Sequence, residues 1–163
     1  MNQIRPARME DLPAIMAIYD EARRFMRSRG NSAQWIHGYP SASLIESDMA
    51  EGCSFVEMKE NEICAVFAFI IGEEPTYRHI DGAWHHPDRP YGTIHRLASS
   101  GAAPGTARTC FDFCRRRSPA LRIDTHRTNL PMQHAVKAYG FEECGIIRVA
   151  DGSERIAFDY LFS

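Results

Sequence analysis

The chain opens on Gln3–Ala7, a short stretch that predicts a strand, and then its apolar spacing changes. Leu12, Ile15, Met16, Tyr19, Ala22 and Met26 recur every three or four residues, which places them on one face of a helix. Glu10 and Asp11 sit near its start, where the helix dipole favours anions, and Arg27-Ser28-Arg29-Gly30-Asn31-Ser32 ends it. Gln34–Pro40 reads as an aromatic-rich loop, and Ser41 or Ser43 then caps a second helix running to about Ala50. Cys53–Lys59 and Ile63–Ile71 flank Glu60-Asn61-Glu62 as a hairpin, the second strand apolar enough to be central in a sheet. Gly72–Arg89 is a polar, proline-containing connection. Further on, Leu121–Asp124 predicts a strand. Asn129 and Pro131 start a helix that Gly140 closes after Tyr139. Phe141–Val149 and Glu154–Phe162 form a last hairpin around Asp151-Gly152.

Between these elements lies the stretch that organises the rest, Thr93–Arg117. Ile94, Leu97 and Ala98 read as a strand, and alternation puts His95, Leu97 and Ser99 on one face. Ser99, Ser100 and Gly101 break the run. Ala107, Cys110, Phe111 and Cys114 then mark a helical stripe, with Pro104 suited to the first turn and Arg115–Arg117 to the last. Gly105, Thr106, Ala107 and Arg108 present backbone N–H groups at the positive end of the helix dipole, a natural anion site. Gly101, Ala102, Ala103 and Gly105 carry little side chain, so a ligand can approach the backbone closely. The element order, β-α-α-β-β-β-α-β-α-β-β without repeat or linker, predicts one mixed α/β (α+β) domain over residues 1–163.

Composition changes this picture little. The 163 residues are 44% hydrophobic and 25% charged with a net charge of −2, an ordinary globular balance with no basic field for nucleic acid. No apolar run reaches the ~20 residues of a membrane span. The N-terminal Met1-Asn2-Gln3-Ile4-Arg5 holds no apolar signal core, which predicts a cytoplasmic protein. The five cysteines form no C-x-x-C pair and read as reduced packing residues; no metal is expected.

The ordered set of these patterns resembles the GNAT N-acetyltransferase superfamily over essentially the whole chain. Ile4–Pro13 is similar to its opening strand and helix start, Pro104–Ala107 with the following helix to its acetyl-coenzyme A motif, and Asn129 followed by Gly140-Phe141 to its second motif. Asp124-Thr125-His126, Met132-Gln133 and the Gly30…Pro40 series resemble an uncharacterised bacterial branch. The resemblance implies a mixed, mostly antiparallel sheet of six or seven strands, splayed between the fourth and fifth, with about four helices. It implies acetyl-CoA as cofactor, held by Leu97, Ala98 and Ser99 of the fourth strand, by Ala102, Ala103, Gly105, Thr106 and Ala107 of the phosphate loop, and by Asn129. Two positions depart from the pattern. Ala102 stands where the family loop has Arg or Gln, with Pro104 lacking a donor, and Val136 stands where many members carry a catalytic Tyr.

Acetyl transfer to an amine needs proton transfer and a donor for the carbonyl oxygen. His95, Asp124 and His126 are the candidates for the proton work, and the Leu97 or Ala98 amide for the oxygen. Trp35, Tyr39 and Trp84 are expected to wall the acceptor pocket, and Glu73, Glu74 and Asp81 to attract a cation or lie in a solvated loop. The expected partner is a primary amine of a small molecule or peptide; a homodimer stays open. The departures at Ala102, Pro104 and Val136 keep a second reading in view, a non-catalytic acyl-CoA sensor.

Overall fold

The computed structural model describes residues 2–32, 34–36, 38–101 and 105–162. Periodicity becomes structure at nearly every predicted place. Strand β1 (Gln3–Pro6) leads to helix α1 (Leu12–Ser28), whose Ile15, Ile18 and Tyr19 are buried. Arg5 joins the two by a two-pronged pair with Asp11, Nη1–Oδ2 2.7 Å and Nη2–Oδ1 2.9 Å. Helix α2 (Ala42–Ala50) is capped by Ser41, whose side chain accepts from the Leu44 amide. Strands β2 (Ser54–Lys59) and β3 (Glu62–Ile71) follow, and Cys64–Phe69 is buried without interruption, as expected of a strand covered on both faces.

The connection after β3 holds more order than its composition suggested. A 3-10 turn spans Pro75–Tyr77, and Asp81–Gly82 forms a two-residue strand, β4. It pairs with strand β7 (Glu142–Arg148), Gly82 opposite Gly145. A Cβ on Gly82 would lie 2.2 Å from the Cys144 carbonyl oxygen and one on Gly145 2.1 Å from that of Asp81. Only two glycines allow this approach. Strand β5 (Gly92–Ser99), helix α3 (Thr106–Arg115), strand β6 (Ala120–Thr125), helix α4 (Leu130–Tyr139) and strand β8 (Glu154–Leu161) complete the chain. Asn129 caps α4 by accepting from the Met132 amide, and Gly140 ends it in the left-handed region, both as the sequence predicts.

The eight strands form one mostly antiparallel sheet in the order β1-β2-β3-β5-β6-β8-β7-β4, against six or seven expected; the added one is β4. The parallel pair is β5 with β6, and it extends only from Gly92↔Leu121 to Ile94↔Ile123. These two are the strands expected to splay. Contacts divide the chain into two units, one built from the residues up to Phe69 with Arg96–Cys110, the other from Ile70–His95 with Phe111–Ser163. In the first, Ile15, Ile18, Tyr19, Ile45, Val56, Val66 and Ala98 make the core. In the second, Phe111 is fully buried and its ring meets Tyr139 and Phe141 at 5.1 Å each. Cys110, Phe111 and Cys114 are all buried, so the predicted α3 stripe is the packed face.

Glu57 on β2, in the first unit, is fully buried; Oε1 accepts from Asn2 Nδ2 at 2.8 Å, and among the described residues Oε2 has no hydrogen-bond partner. Burial pushes its carboxyl up to about 7, against the Asn2 hydrogen bond. A folded-state value raised above the ordinary 4.5 gives stability that is complete below 4.5 and lost as pH rises toward about 7. Glu57→Gln therefore removes that loss and is more stable than the parent in alkaline buffer, with little difference in acid; urea unfolding across pH measures it.

Candidate functional site

In the first unit the sequence-predicted residues converge on one backbone irregularity. Arg96 has φ +55°, in the left-handed region. The alternation expected for His95, Leu97 and Ser99 is interrupted there, and Leu97 and Ala98 are both buried in succession. The kink is held from three sides. Tyr19 Oη donates to the Arg96 carbonyl oxygen at 2.7 Å. The guanidinium donates to Asp48 Oδ2 through Nη2 at 2.8 Å and Nε at 3.2 Å, and to Tyr39 Oη through Nη1 at 3.2 Å. Burial opposes the Arg96 charge; Tyr39 and Asp48 outweigh it and raise its pKa. Trp35 packs edge-on against Tyr19, ring centres 5.5 Å apart. Trp35 and Tyr39, expected as pocket walls, thus both bear on the groups that fix the kink.

Beyond the kink, Leu97, Ala98 and Ser99 lie past the last residue pair that β5 makes with β6. Ser100 then donates its amide to the Cys64 carbonyl at 2.9 Å. Ala102, Ala103 and Pro104, the first half of the expected phosphate loop, lie outside the described residues. Gly105 has φ +80°, is exposed, and has open space where a Cβ would stand. Thr106 begins α3, and the first bond of the α-helical ladder runs from the Thr109 amide to the Gly105 carbonyl. The amides of Thr106, Ala107 and Arg108 therefore have no partner within the helix. Such a helix start is a general anion site.

The second unit holds the titratable candidates, in two groups. His95 Nε2 lies 3.0 Å from Glu74 Oε1. Glu74 Oε2 accepts from the Thr76 amide at 2.9 Å and its hydroxyl at 3.1 Å. The His95 contact, then the Thr76 bonds, hold the Glu74 carboxyl at about 2 against its burial. Nearby, Asp124 Oδ2 accepts from Tyr77 Oη at 2.6 Å. Burial raises the Asp124 carboxyl, the Tyr77 bond working against it. Tyr77 is itself buried among Trp84 and Tyr91, ring centres 5.1 and 6.4 Å away. Trp84 donates Nε1–H to the Tyr77 carbonyl at 3.2 Å and lies over the Arg122 guanidinium at 3.9 Å. It belongs to this group.

His126 stands apart. It is buried, not the exposed loop residue its neighbours in sequence suggest. Its Nδ1 accepts from the Thr128 amide at 3.2 Å and meets Thr128 Oγ1 at 2.7 Å, so the neutral ring carries its proton on Nε2. Burial lowers its pKa, the Arg155 and Arg127 charges adding to this. Val136 is fully buried, and Tyr139 Oη donates to Asp112 at 2.6 Å.

Sequence reasoning missed Asp48, Arg96 and Tyr77, and read Glu74 only as a loop acid that attracts a cation or is solvated. Asp48 had a signal, since it falls three residues after Ile45 on the inward face of α2, where an acid needs a partner. Glu73 and Asp81, paired with Glu74 in that reading, are exposed.

No family model matches the chain, and no curated protein does. Among solved structures, an acetyltransferase of the GNAT family from Streptococcus agalactiae is 32% identical, covers 99% of this chain and 96% of its own, and superposes with a TM-score of 0.92. The chain belongs to the GNAT acetyltransferase family. More distant GNAT structures share its fold. A GNAT-family acetyltransferase from Listeria monocytogenes is 17% identical, with 99% of this chain and 95% of that one covered and a TM-score of 0.73. A ribosomal-protein-alanine N-acetyltransferase from Brucella melitensis is 18% identical, with 98% and 99% covered and a TM-score of 0.63.

Glu74 supplies a prediction. Its depressed folded-state value means a stability contribution that is complete above the ordinary 4.5 and lost as pH falls toward about 2. Glu74→Gln abolishes this acid-range dependence, so that parent and variant converge as the buffer is acidified; chemical unfolding at a series of acid pH values reads it directly.

Proposed function

We propose that this GNAT protein transfers an acetyl group from acetyl-CoA to a primary amine of a small molecule or peptide. The observation that carries the reading is the Arg96 kink, which comes just after the last β5–β6 pair and just before Leu97–Ser99. In this reading the backbone of Leu97, Ala98 and Ser99 takes the pantetheine arm. The amides of Gly105, Thr106 and Ala107, with Ala102, Ala103 and Asn129, take the diphosphate end. Acetyl-CoA supplies the activated acyl thioester.

The chain's own groups do the rest. The Leu97 or Ala98 amide donates to the carbonyl oxygen as charge builds on it. His95 is the general base. With Nε2–H directed at Glu74, its Nδ1 keeps a lone pair that takes the proton from the acceptor nitrogen. Glu74 is a positioning residue, fixing tautomer and ring. Asp124 and His126 are the further candidates for proton traffic, and Trp35, Tyr39 and Trp84 for acceptor contacts. The buried Val136 favours a second reading, a sensor that binds acyl-CoA without turnover.

Purified protein is mixed with acetyl-CoA and an amine panel, and free thiol is followed. Thiol release that depends on the amine is expected. His95→Gln should lower kcat by about 10²–10⁴ while leaving the cofactor Kd in place. Gly105→Asp puts a carboxylate at the helix start, where it repels a diphosphate. It should weaken coenzyme A binding at least about tenfold in calorimetry, and more than Gly105→Ala, which carries the same strain at φ +80° without the charge. Tight cofactor binding with no turnover on any amine would establish the sensor, and no binding at all would end both readings.

A further inference from the structure

On the second unit, away from the groups given roles above, His85, Cys144 and Asp159 meet. One imidazole nitrogen, Sγ and one carboxylate oxygen lie within 4.8 Å of one another. They come from three places in the chain. The β7–β8 register runs from Glu143↔Phe158 to Gly145↔Ala157, so Cys144 is the extra residue of a bulge, the device by which a sheet re-aims a side chain. Asp159 stands on β8 and is 2% exposed. His85 follows β4, and its place is tied down several times over. Ala83 donates its amide to the Cys144 carbonyl at 3.1 Å. The amides of His85 and His86 both donate to Asp159 Oδ2, at 2.8 and 3.0 Å. His85 Nε2 lies 3.0 Å from the Glu143 carbonyl oxygen.

A second observation points to a ligand. Among the described residues, the buried Asp159 Oδ1 has no hydrogen-bond partner. Leaving such an oxygen unpaired costs free energy, and a cation removes the cost. The Arg122 guanidinium does not. Arg122, across the ladder from Asp159, lies flat between the Trp84 and Tyr91 rings at 3.9 and 3.8 Å and makes no ion pair among the described residues.

We propose that His85, Cys144 and Asp159 bind a thiophilic divalent cation of the zinc class. Sulfur, nitrogen and oxygen donors together suit zinc and its near neighbours and disfavour magnesium or calcium. Three protein donors leave a fourth tetrahedral position for water. Ligands around such an ion sit roughly 3.5 Å apart, so binding draws the three donors together, the exposed His85 ring moving at the expense of its Nε2 contact with the Glu143 carbonyl. Binding forms a metal–sulfur bond, and the Cys144 thiol proton, displaced by the metal, passes to solvent. Bound metal would clamp the segment after β4 to the bulge on β7 and to β8.

The test uses the full chain, titrated with Co²⁺ and with Zn²⁺ under reducing conditions. One equivalent of Co²⁺ should give thiolate-to-metal charge-transfer absorption that Zn²⁺ abolishes. The band should vanish in Cys144→Ser and weaken at least about tenfold in apparent affinity in His85→Ala, a change at an exposed side chain that leaves the fold alone. Zn²⁺ at a hundredfold excess over Kd should raise Tm by roughly 5–10 °C, and Mg²⁺ should not. Absence of the band in the parent chain would overturn the proposal. So would a band that survives Cys144→Ser, since another cysteine would then hold the metal.

Discussion

Arg96 occupies a backbone region that costs a residue other than glycine about 1–3 kcal/mol, and it stays there because separate elements hold both its ends. Tyr19 from α1 takes its carbonyl, Asp48 from α2 takes its guanidinium, and Tyr39 from the intervening loop takes a remaining N–H. Removing one partner of a buried charge pair costs about 3–5 kcal/mol, more than the kink itself. The two N-terminal helices and the loop between them therefore act together as a brace for one residue of β5. What that residue controls is the direction of the next three, and on them rests the acyl-donor side of the proposed chemistry.

The second unit solves a different problem. It carries two carboxyls on the same polar cluster and drives them apart, Glu74 down through His95 and Thr76, Asp124 up through burial. Groups whose surroundings separate their protonation states in this way are fit for distinct roles in proton transfer. Tyr77 limits the separation, since its hydroxyl donates to Asp124 and works against the effect of burial.

Most of the framework was legible because it is local. The α1 stripe, the Ser41 and Asn129 caps, the apolar run of β3 and the Asp151-Gly152 turn all declare themselves within a few residues. What was not legible joins distant parts of the chain. Nothing around Arg96 announces a positive φ, since the residues that impose it lie 77 and 48 positions away. Nor does a polar, proline-containing stretch announce that Tyr77 will be buried among aromatic rings, or that Glu74 will meet His95. For the candidate site, the residue types were visible and their company was not. His95 was chosen for its place on a strand, and Glu74 beside it emerged only from the fold. Trp84 was chosen for its chemistry, and its contacts with Tyr77 and Arg122 emerged only from the fold.

The facing glycines of β4 and β7 have a last consequence. A strand of two residues has too few hydrogen bonds to choose its own alignment, and slippage is the usual fate of so short a ladder. Here a side chain on either partner would collide with a carbonyl oxygen at 2.1–2.2 Å. Sliding by a single position would bring Asp81 or Ala83 into a slot that admits neither. Exclusion, not attraction, thus sets the phase of everything downstream. The indole and imidazole rings after Gly82 therefore start from a fixed position on β7.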